Sequence, residues 1–182
     1  LTLSTMESDS MNVIPQWVDV PTILQRLQND ANQLSDGAHR IHFEVQTDKG
    51  VLGMPEPLKS VFTNLVSNAI RYTPEGGDIW VRWYLTDKAG VFEVKDTGIG
   101  IAREHIPRLT ERFYRVDTAR SRSTGGTGLG LAIVKHVLER HRAKLVILSR
   151  LQVGSTFRCE FPLNLLKDSE SKALENDSGT TS

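Results

Sequence analysis

The chain has one cysteine, no excess of either charge and no long apolar run. Each of these features excludes a class of site or of protein. Cys159 is the only cysteine among 182 residues, so no disulfide can form within the chain and a cysteine-rich metal site is excluded. Lys plus Arg and Asp plus Glu number 22 each, a balance that argues against a general nucleic-acid-binding protein. No apolar run approaches the roughly 18 residues that a transmembrane helix needs. Because the chain begins at Leu1 rather than Met, we expect it to be a piece of a longer protein.

Glycine, by contrast, is concentrated in one place. Residues 125–131 read Gly-Gly-Thr-Gly-Leu-Gly-Leu and lead directly into an apolar helical pattern. Each glycine costs about 1 kcal/mol relative to alanine inside a helix, so we expect a ligand to approach the backbone closely there. The bare N–H groups and the positive dipole end of a helix N-terminus form a phosphate site. The run therefore predicts a phosphorylated ligand.

Two familiar phosphate-binding motifs do not fit this run. A dinucleotide fingerprint needs G-x-G-x-x-G in a strand-to-helix turn near the start of a βαβ unit, whereas here the spacing is G-x-G-x-G and follows a long loop. A Walker A motif needs Gly-Lys followed by Ser or Thr, and the chain has no such sequence. The class of ligand must therefore be read from other parts of the chain.

Hydrophobic periodicity predicts three helices and six strands. Helices are predicted from Pro21 to about Leu34, over 57–73, and from the glycine run to about His141. Strands are predicted at 41–45, 51–52, 79–85, 91–95, 145–148 and 155–161. Short turns between strands favour antiparallel pairing with the helices on one face, which is a two-layer α+β sandwich rather than a doubly wound sheet.

This pattern predicts one folded domain with an extension at each end. Residues 1–19 are interpreted as the tail of a dimerisation helix and a linker, 20–163 as the domain, and 164–182, rich in Ser, Glu, Asp and Thr, as a disordered tail. Residues 97–127 form a long loop rich in Gly, Arg, Ser and Thr. Loops of that length inside a compact domain are usually lids or binding loops.

The helix predicted at 57–73 carries a polar line beside its apolar stripe. Asn64 and Asn68 are four residues apart and Arg71 follows three further on, so all three project along one side. A carboxamide oxygen can ligate Mg²⁺, and an arginine can contact a phosphate. An ordinary solvated helix face is the alternative interpretation.

Two further stretches could complete a nucleotide site. Residues 96–101 read Asp-Thr-Gly-Ile-Gly-Ile after a strand, where the carboxylate could accept a hydrogen bond from an exocyclic amine such as that of adenine. Asp-x-Gly also marks ordinary turns. Residues 112–115 read Arg-Phe-Tyr-Arg, and an arginine on such a loop could neutralise charge on a transferred phosphoryl group. A basic, solvated loop is the alternative.

No single stretch is specific, but together they stand in a recognisable order. Residues 64–73, 96–101, 112–115 and 126–131 resemble the N box, first glycine box, F box and second glycine box of sensor histidine kinases. The resemblance covers about 20–162. It implies the ATP-binding sandwich shared with gyrase, Hsp90 and MutL, in which a mixed sheet of about five strands carries about three helices on one face and a long ATP lid.

The resemblance also implies roles for individual residues. Asn68 is expected to ligate Mg²⁺, Asn64 and Arg115 to act in catalysis, and Asp96 to bind the amino group of adenine. The full set of expected nucleotide-binding residues is Asn64, Asn68, Arg71, Tyr72, Asp96, Gly98, Gly100, Ile101, Arg115, Gly126, Thr127, Gly128, Leu129, Gly130 and Thr156.

Two features depart from the family pattern. The third glycine box of the family usually reads Gly-x-Gly-Ser/Thr, but here Gln152 stands in place of its first glycine, before Val153, Gly154 and Ser155. None of the five histidines lies in a phosphoacceptor block, in which an acidic residue follows the histidine and a proline is near. The chain is therefore expected to carry the ATP-binding half of a kinase without its target histidine.

The implied function is ATP–Mg²⁺ binding and donation of the γ-phosphoryl group to a histidine on a separate dimerisation domain, for relay to a response regulator. The parent would be a homodimeric bacterial inner-membrane protein with this domain in the cytoplasm. Residues 105–135 resemble in particular the phosphate-regulon members of the family, which implies phosphate-starvation signalling. The alternative is a regulatory module in which bound nucleotide controls response-regulator docking or phosphatase activity. A clamp of the Hsp90 or gyrase type is disfavoured, because hydrolysing relatives carry a glutamate base where this chain has Asn64.

Overall fold

The structure is a computed structural model that describes residues 14–116 and 130–168. The helices are α1 (Val20–Ser35), α2 (Pro55–Tyr72) and α3 (Gly130–Arg140). The strands are β1 (Gln16–Val18), β2 (Arg40–Val45), β3 (Gly50–Gly53), β4 (Asp78–Leu85), β5 (Ala89–Asp96), β6 (Lys144–Arg150), β7 (Gly154–Pro162) and β8 (Leu166–Lys167). Single 3-10 turns lie at Ile106–Arg108 and Leu163–Leu165. In these two ranges no helix is long and apolar enough to cross a membrane.

The main sheet has five strands in the order β2-β4-β5-β7-β6. Strands β2 and β4 run parallel, with Arg40 opposite Asp78, and the other three pairs are antiparallel. The antiparallel pairing predicted for strands joined by short turns is confirmed for β4 with β5 and for β6 with β7, whereas β2 and β4 are separated by α2 in the chain. A crossover of that length lets two strands run in the same direction. The sheet is therefore mixed, as the resemblance implies.

A second, small sheet consists of β1, β3 and β8, paired antiparallel in the order β1-β3-β8. Strands β1 and β8 were not predicted, since 16–18 fall in the segment interpreted as a linker and 166–167 in the segment interpreted as a tail. The indole N–H of Trp17 donates a hydrogen bond of 3.1 Å to the carbonyl of Lys167. The folded part therefore starts before residue 20 and continues through Lys167.

The core lies between one face of the main sheet and the helices. Phe62 of α2 packs against Phe92 of β5 with ring centroids 4.3 Å apart, and Trp83 of β4 meets the edge of Phe161 of β7 at 6.1 Å. All four side chains are fully buried. Burial of a large apolar side chain contributes about 1.5–3 kcal/mol, so these contacts fix how α2 sits on the sheet. That placement matters because α2 carries the polar line of Asn64.

The opposite face of the main sheet, which we call the open face, carries polar side chains. Glu93 of β5 is buried at its centre and accepts hydrogen bonds from Arg82 at 3.3 Å, Arg158 at 2.6 Å and the hydroxyl of Tyr84 at 3.0 Å. Burial raises the pKa of Glu93, but the hydrogen bonds from Arg158 and Tyr84 outweigh it and hold the pKa below its usual value. A strand residue that points to this side lies away from the helices.

Candidate functional site

Asp96 is a buried carboxylate at the end of β5. It is 6% exposed, and its side chain is on the same face of the strand as Phe92 and Val94, toward the helices. Its Oδ1 accepts hydrogen bonds from the backbone N–H of Gly98 at 2.8 Å and of Ser155 at 3.2 Å. Burial raises the pKa of Asp96, and these two N–H groups offset only part of that rise. Among the described residues Oδ2 has no hydrogen-bond partner, so one oxygen remains available to a ligand.

Gly98 allows the turn after Asp96 to pack against the end of α2. A Cβ atom at Gly98 would lie 2.5 Å from the carbonyl oxygen of Tyr72 and 2.8 Å from Oδ1 of Asp96. The same carbonyl of Tyr72 accepts a hydrogen bond of 3.2 Å from the N–H of Ile99. The carboxylate and the last turn of α2 are therefore held together by backbone contacts, and a side chain at position 98 would separate them.

The hairpin between β6 and β7 closes the other side of this turn. Gly100 has a φ of +70°, and a Cβ there would lie 2.1 Å from the carbonyl oxygen of Arg150. The backbone N–H of Gln152 donates to the carbonyl of Ile99 at 2.7 Å. Gln152 adopts a φ of +62°, the left-handed conformation that glycine would take without strain. The turn of the third glycine box therefore forms although its first glycine is absent.

Asn64 lies on α2 beside the first residue of α3. Its Nδ2 donates to the carbonyl oxygen of Ser60 at 2.8 Å, one turn back along the helix. Its Oδ1 lies 3.0 Å from the point where a Cβ of Gly130 would be. Since Gly130 begins α3, the amide oxygen is next to the positive dipole end of a helix. A side chain at position 130 would crowd the amide oxygen and force it to shift by a few tenths of an ångström.

Asn68 and Arg71 form the second half of the polar line on α2. Oδ1 of Asn68 accepts a hydrogen bond of 3.3 Å from the guanidinium of Arg71, and both side chains are half-buried. The spacing predicted from the sequence is therefore realised, with both groups on one side of the helix. An amide oxygen and a guanidinium at the edge of solvent can meet a metal–phosphate group.

The structure describes some of the predicted residues but does not bring all of them together. Tyr72 and Ile101 are half-buried at the end of α2 and after the Gly100 turn, and Ile101 packs against the core. Arg115 is half-buried after the 3-10 turn, and within the described ranges it makes no hydrogen bond or ion pair with α2. Gly126, Thr127, Gly128 and Leu129 lie outside the described residues.

Ser155, rather than Thr156, lies beside Asp96. In the register of β5 and β7, Ser155 pairs with Asp96, whereas Thr156 pairs with the exposed Lys95. Successive residues of a strand point to opposite faces, so Thr156 is on the open face, whereas Asp96 and Ser155 are on the helix face. The sequence could have indicated this. Ser155 lies two residues before the apolar Phe157, and alternate residues of a strand point to the same face, so both should face the core.

The family of the chain follows from comparison with known proteins. Residues 53–165, more than half of the chain, match the family model described as "Histidine kinase-, DNA gyrase B-, and HSP90-like ATPase". The chain belongs to this family. ATP binding is the shared property of these ATPase domains, and the residues around Asp96 and on α2 lie within the matched range.

Curated relatives of this ATPase domain are sensor kinases. The chain is 50% identical over 157 residues to the phosphate regulon sensor protein PhoR of Pseudomonas aeruginosa. The match covers 86% of the chain and 35% of that protein. It is 38% identical to the PhoR protein of Haemophilus influenzae over 86% of the chain and 37% of that protein. It is 43% identical to the sensor-like histidine kinase SenX3 of Mycolicibacterium smegmatis, over 80% of the chain and 38% of that protein. The chain thus spans a little over a third of the length of these relatives.

Solved structures agree with the fold of the ATPase domain. The mycobacterial sensor histidine kinase MprB superposes with a TM-score of 0.72 at 28% identity, over 81% of this chain and 97% of that chain. The full-length kinase ShkA, in complex with AMPPNP, superposes with a TM-score of 0.73 over 88% of this chain and 33% of that chain, at 23% identity, which compares the fold alone. The predicted two-layer sandwich with a mixed five-stranded sheet is confirmed, and the domain is the catalytic ATP-binding module of the histidine-kinase type.

Proposed function

We propose that this domain binds ATP with Mg²⁺ along α2 and donates the γ-phosphoryl group to a histidine on a separate dimerisation domain of its parent protein. The proposal rests on one observation: chemically different groups lie at the two ends of the part of α2 that runs from Asn64 to Tyr72. The buried carboxylate of Asp96 adjoins the C-terminal end of α2, and the amide oxygen of Asn64 adjoins the N-terminus of α3. The end at Asp96 suits a nucleotide base, and the end at Asn64 suits phosphates.

The length of this stretch suits a nucleoside triphosphate. Eight residues separate Asn64 from Tyr72, which is about 12 Å along a helix axis. The free Oδ2 of Asp96 would accept a hydrogen bond from the adenine amine, and Tyr72, Gly98, Gly100 and Ile101 would line the base. The phosphates would then extend along α2 toward Arg71, Asn68 and Asn64.

The residues on α2 fit a magnesium ion that is held mainly by phosphates. Mg²⁺ prefers oxygen ligands and usually keeps waters and phosphate oxygens among them. Oδ1 of Asn68 is an oxygen whose partner, the Arg71 guanidinium, can turn to a phosphate instead. Within the described ranges no group of three His, Cys, Asp or Glu side chains could hold a metal by itself. Asn68 would therefore be the protein ligand, and the ion would neutralise phosphate charge.

The loop after β5 and the glycine run would complete the phosphate end. Arg115 would place a guanidinium on the transferred phosphoryl group, where it neutralises developing charge. Gly126, Thr127, Gly128 and Leu129, together with Gly130, would donate backbone N–H groups to the phosphates. The half-exposed Arg115, with no ion pair in the described part of the chain, is consistent with a charge reserved for a ligand.

The phosphoryl acceptor would lie on another domain. Both ring nitrogens of His39 and of His141 are hydrogen-bonded inside the protein. Nε2 of His136 is buried, and His42 lies on the open face, away from α2. A histidine that attacks a γ-phosphoryl group needs an accessible lone pair at the phosphate end of the site. None of these four supplies one. The fifth, His105, has its Nδ1 against the hydroxyl of Tyr114 and its Nε2 3.6 Å from Glu104. The five histidines therefore support an acceptor on the dimerisation domain.

The identity of 50% to the phosphate regulon sensor protein PhoR supports a role in phosphate-starvation signalling. In that role the phosphohistidine of the parent, as a membrane-bound homodimer, would pass its group to a response regulator. A second function of the same fold is regulatory: the bound nucleotide would set docking or phosphatase behaviour toward the response regulator. The two functions share the nucleotide site. They differ in whether the γ-phosphoryl group is transferred from ATP to a histidine.

The test adds the purified dimerisation domain of the parent protein in trans and supplies γ-labelled ATP with Mg²⁺. Acid-labile label on the dimerisation domain, absent when Asp96→Asn replaces the wild-type chain, is the expected result. Nucleotide binding by calorimetry without any transfer of label would favour the regulatory function. Absence of nucleotide binding by the wild-type chain would overturn both.

A further inference from the structure

The hydroxyl of Ser149 on β6 joins three parts of the nucleotide site at one oxygen atom. It lies 2.7 Å from the backbone nitrogen of Ile101, 3.1 Å from the carbonyl oxygen of Gly154 and 2.8 Å from the hydroxyl of Ser155. Ile101 is the last residue of the turn that follows Asp96, and Ser155 is the strand neighbour of Asp96. Ser149 itself is half-buried and is not part of any motif in the sequence.

The directions of these three hydrogen bonds follow from the chemistry of a hydroxyl group. A hydroxyl has one proton to donate and two lone pairs to accept. The N–H of Ile101 can only donate and the carbonyl of Gly154 can only accept, so all three contacts are hydrogen bonds at once only when the proton of Ser149 goes to Gly154. Ser149 then has no second proton for Ser155. Ser155 must therefore be the donor in the contact between the two hydroxyl groups.

The proton of Ser155 is thus directed away from Asp96. Ser155 pairs with Asp96 across β5 and β7, and both side chains lie on the helix face of the sheet. With its proton held by Ser149, the hydroxyl of Ser155 offers only lone pairs to that region. The carboxylate of Asp96 also offers only lone pairs when it is ionised. The two side chains that would face the base here, Ser155 and Asp96, then both act as hydrogen-bond acceptors, and we call them the wall of the base site.

We propose that Ser149 is a positioning residue that sets the base preference of this site, by holding the Ser155 hydroxyl as an acceptor. The inference rests on the proposed nucleotide function. A wall of acceptors favours a base that presents an N–H₂ group, as adenine does, and disfavours one that presents a carbonyl oxygen at the same position, as hypoxanthine does. Ser149→Ala frees the Ser155 proton, which can then be donated to a carbonyl oxygen.

The test compares the dissociation constants of ADP and of IDP by calorimetry. The two nucleotides differ at position 6 of the base, an amine in ADP and a carbonyl in IDP, and at N1, which accepts in ADP and carries a proton in IDP. Because the N1 difference is the same for every variant, a change in the ratio on substitution of Ser149 reports the group at position 6. We expect the wild-type chain to prefer ADP. In Ser149→Ala the ratio of IDP to ADP dissociation constants should fall by about five- to tenfold, the value of one hydrogen bond to the base. Ser149→Thr, which keeps the hydroxyl, should retain the wild-type ratio.

The double variant Ser149→Ala/Ser155→Ala separates a proton effect from loosening of the turn. Because it has no hydroxyl left to donate, it should recover the wild-type ratio, even though the N–H of Ile101 stays unpaired. A turn that is merely loosened would weaken both nucleotides alike in the single and the double variant. Ser149→Cys, with a thiol that is a weaker partner, should give an intermediate ratio and carries the test if Ser149→Ala does not fold.

Thr86→Ala is the matched control. The hydroxyl of Thr86 also accepts backbone N–H groups in a turn, from Lys88 at 3.2 Å and Ala89 at 3.0 Å, but at the opposite end of β5. Its variant should leave the ratio unchanged. An unchanged ratio in Ser149→Ala, in a wild-type background that prefers ADP, would overturn the role of Ser149 and leave the nucleotide site intact. If the wild-type chain binds neither nucleotide, this inference and the proposed function both fail.

Discussion

Gln152 holds the carbonyl of Ile99 with a hydrogen bond of 2.7 Å while its own backbone has a φ of +62°. A residue with a Cβ atom is strained by about 1–2 kcal/mol in the left-handed region, whereas glycine is not. Gln152→Gly removes this strain but gives the unfolded chain more freedom, which costs about 0.4–1 kcal/mol. We expect the difference to stabilise the protein by about 0.5–1 kcal/mol, measured as the free energy of unfolding in urea.

Val153 supplies the control for that measurement. It is exposed, lies next to Gln152 in the same turn, and does not have a positive φ. Val153→Gly adds freedom to the unfolded chain without relieving strain, so it should destabilise by about 0.5–1 kcal/mol. Equal destabilisation by the two variants would show that the left-handed backbone at position 152 carries no cost.

Asp96→Asn should separate stability from nucleotide binding. Burial raises the pKa of Asp96, which means that the charged form is disfavoured in the folded protein. An amide oxygen can still accept the N–H groups of Gly98 and Ser155. The variant should therefore unfold at the same urea concentration as the wild-type chain or a higher one. Its affinity for ADP should fall by at least about 100-fold, since the amide N–H₂ takes the place of Oδ2 and the adenine amine loses its acceptor.

Asp78→Asn is the comparison for Asp96→Asn. Asp78 forms a surface ion pair of 2.8 Å with Arg40, and the Arg40 hydrogen bond holds its pKa below its usual value. Loss of that exposed, solvent-screened pair should leave both the free energy of unfolding and the ADP affinity close to the wild-type values. Calorimetry that finds wild-type affinity in Asp96→Asn would remove Asp96 from the base site.

The existence of the helices and main strands could be predicted because periodicity depends on local sequence. The pairing of the strands could not be predicted in this way. Strand β2 alternates clearly, but its parallel pairing with β4 depends on α2 lying between them. Strand β1 has three residues and no periodicity. It forms because Gly50 lets Val18 approach: a Cβ at position 50 would lie 2.2 Å from the Val18 carbonyl. Such a contact is invisible before both segments are placed.

The nucleotide site shows the same division. The placement of Asn64, Asn68, Arg71 and Asp96 could be predicted, because helical spacing and the end of a strand fix where their side chains project, and their roles toward a nucleotide remain proposals. Ser149 could not, because its three partners come from two segments, the turn after Asp96 and the start of β7, which meet only when the β6–β7 hairpin packs on that turn.

ATP hydrolysis by the chain alone should be slower than about 1 s⁻¹. The resemblance to the family implies that Asn64 stands where hydrolysing relatives carry a general base, and an amide cannot take a proton from water at neutral pH. In the structure its Nδ2 is already committed to the carbonyl of Ser60. Release of phosphate from ATP–Mg²⁺ measures the rate.

Asn64→Ala and Asp96→Asn identify the source of any hydrolysis that is found. Residual hydrolysis that persists in both variants comes from outside the site. A rate near 1 s⁻¹ that is lost in Asn64→Ala would contradict the assignment, because Asn64 would then support attack by water.

The stability of the domain should fall as the pH drops below about 6.5, because His141 is buried in a neutral form. Its Nε2 accepts the N–H of Met54 at 3.0 Å, and its Nδ1 donates to the carbonyl of Val137 at 2.8 Å. Burial lowers the pKa of His141, the charge of Arg140 lowers it further, and the bond to Val137 offsets only part of this. The unfolded chain therefore takes up a proton at a higher pH than the folded protein does.

The sign of the pH effect follows from that order of pKa values. Above about pH 6.5 both states are neutral at this residue and the stabilising contact with Met54 is fully present. Below that pH the unfolded state binds more protons, so each pH unit costs at most about 1.4 kcal/mol down to the folded pKa. Urea unfolding between pH 7.5 and 5.5 measures the slope. His141→Gln, whose amide can replace both hydrogen bonds, should remove the slope, whereas replacement of the exposed His42 by Gln should retain it. A slope that survives in His141→Gln would assign the acid sensitivity to another group.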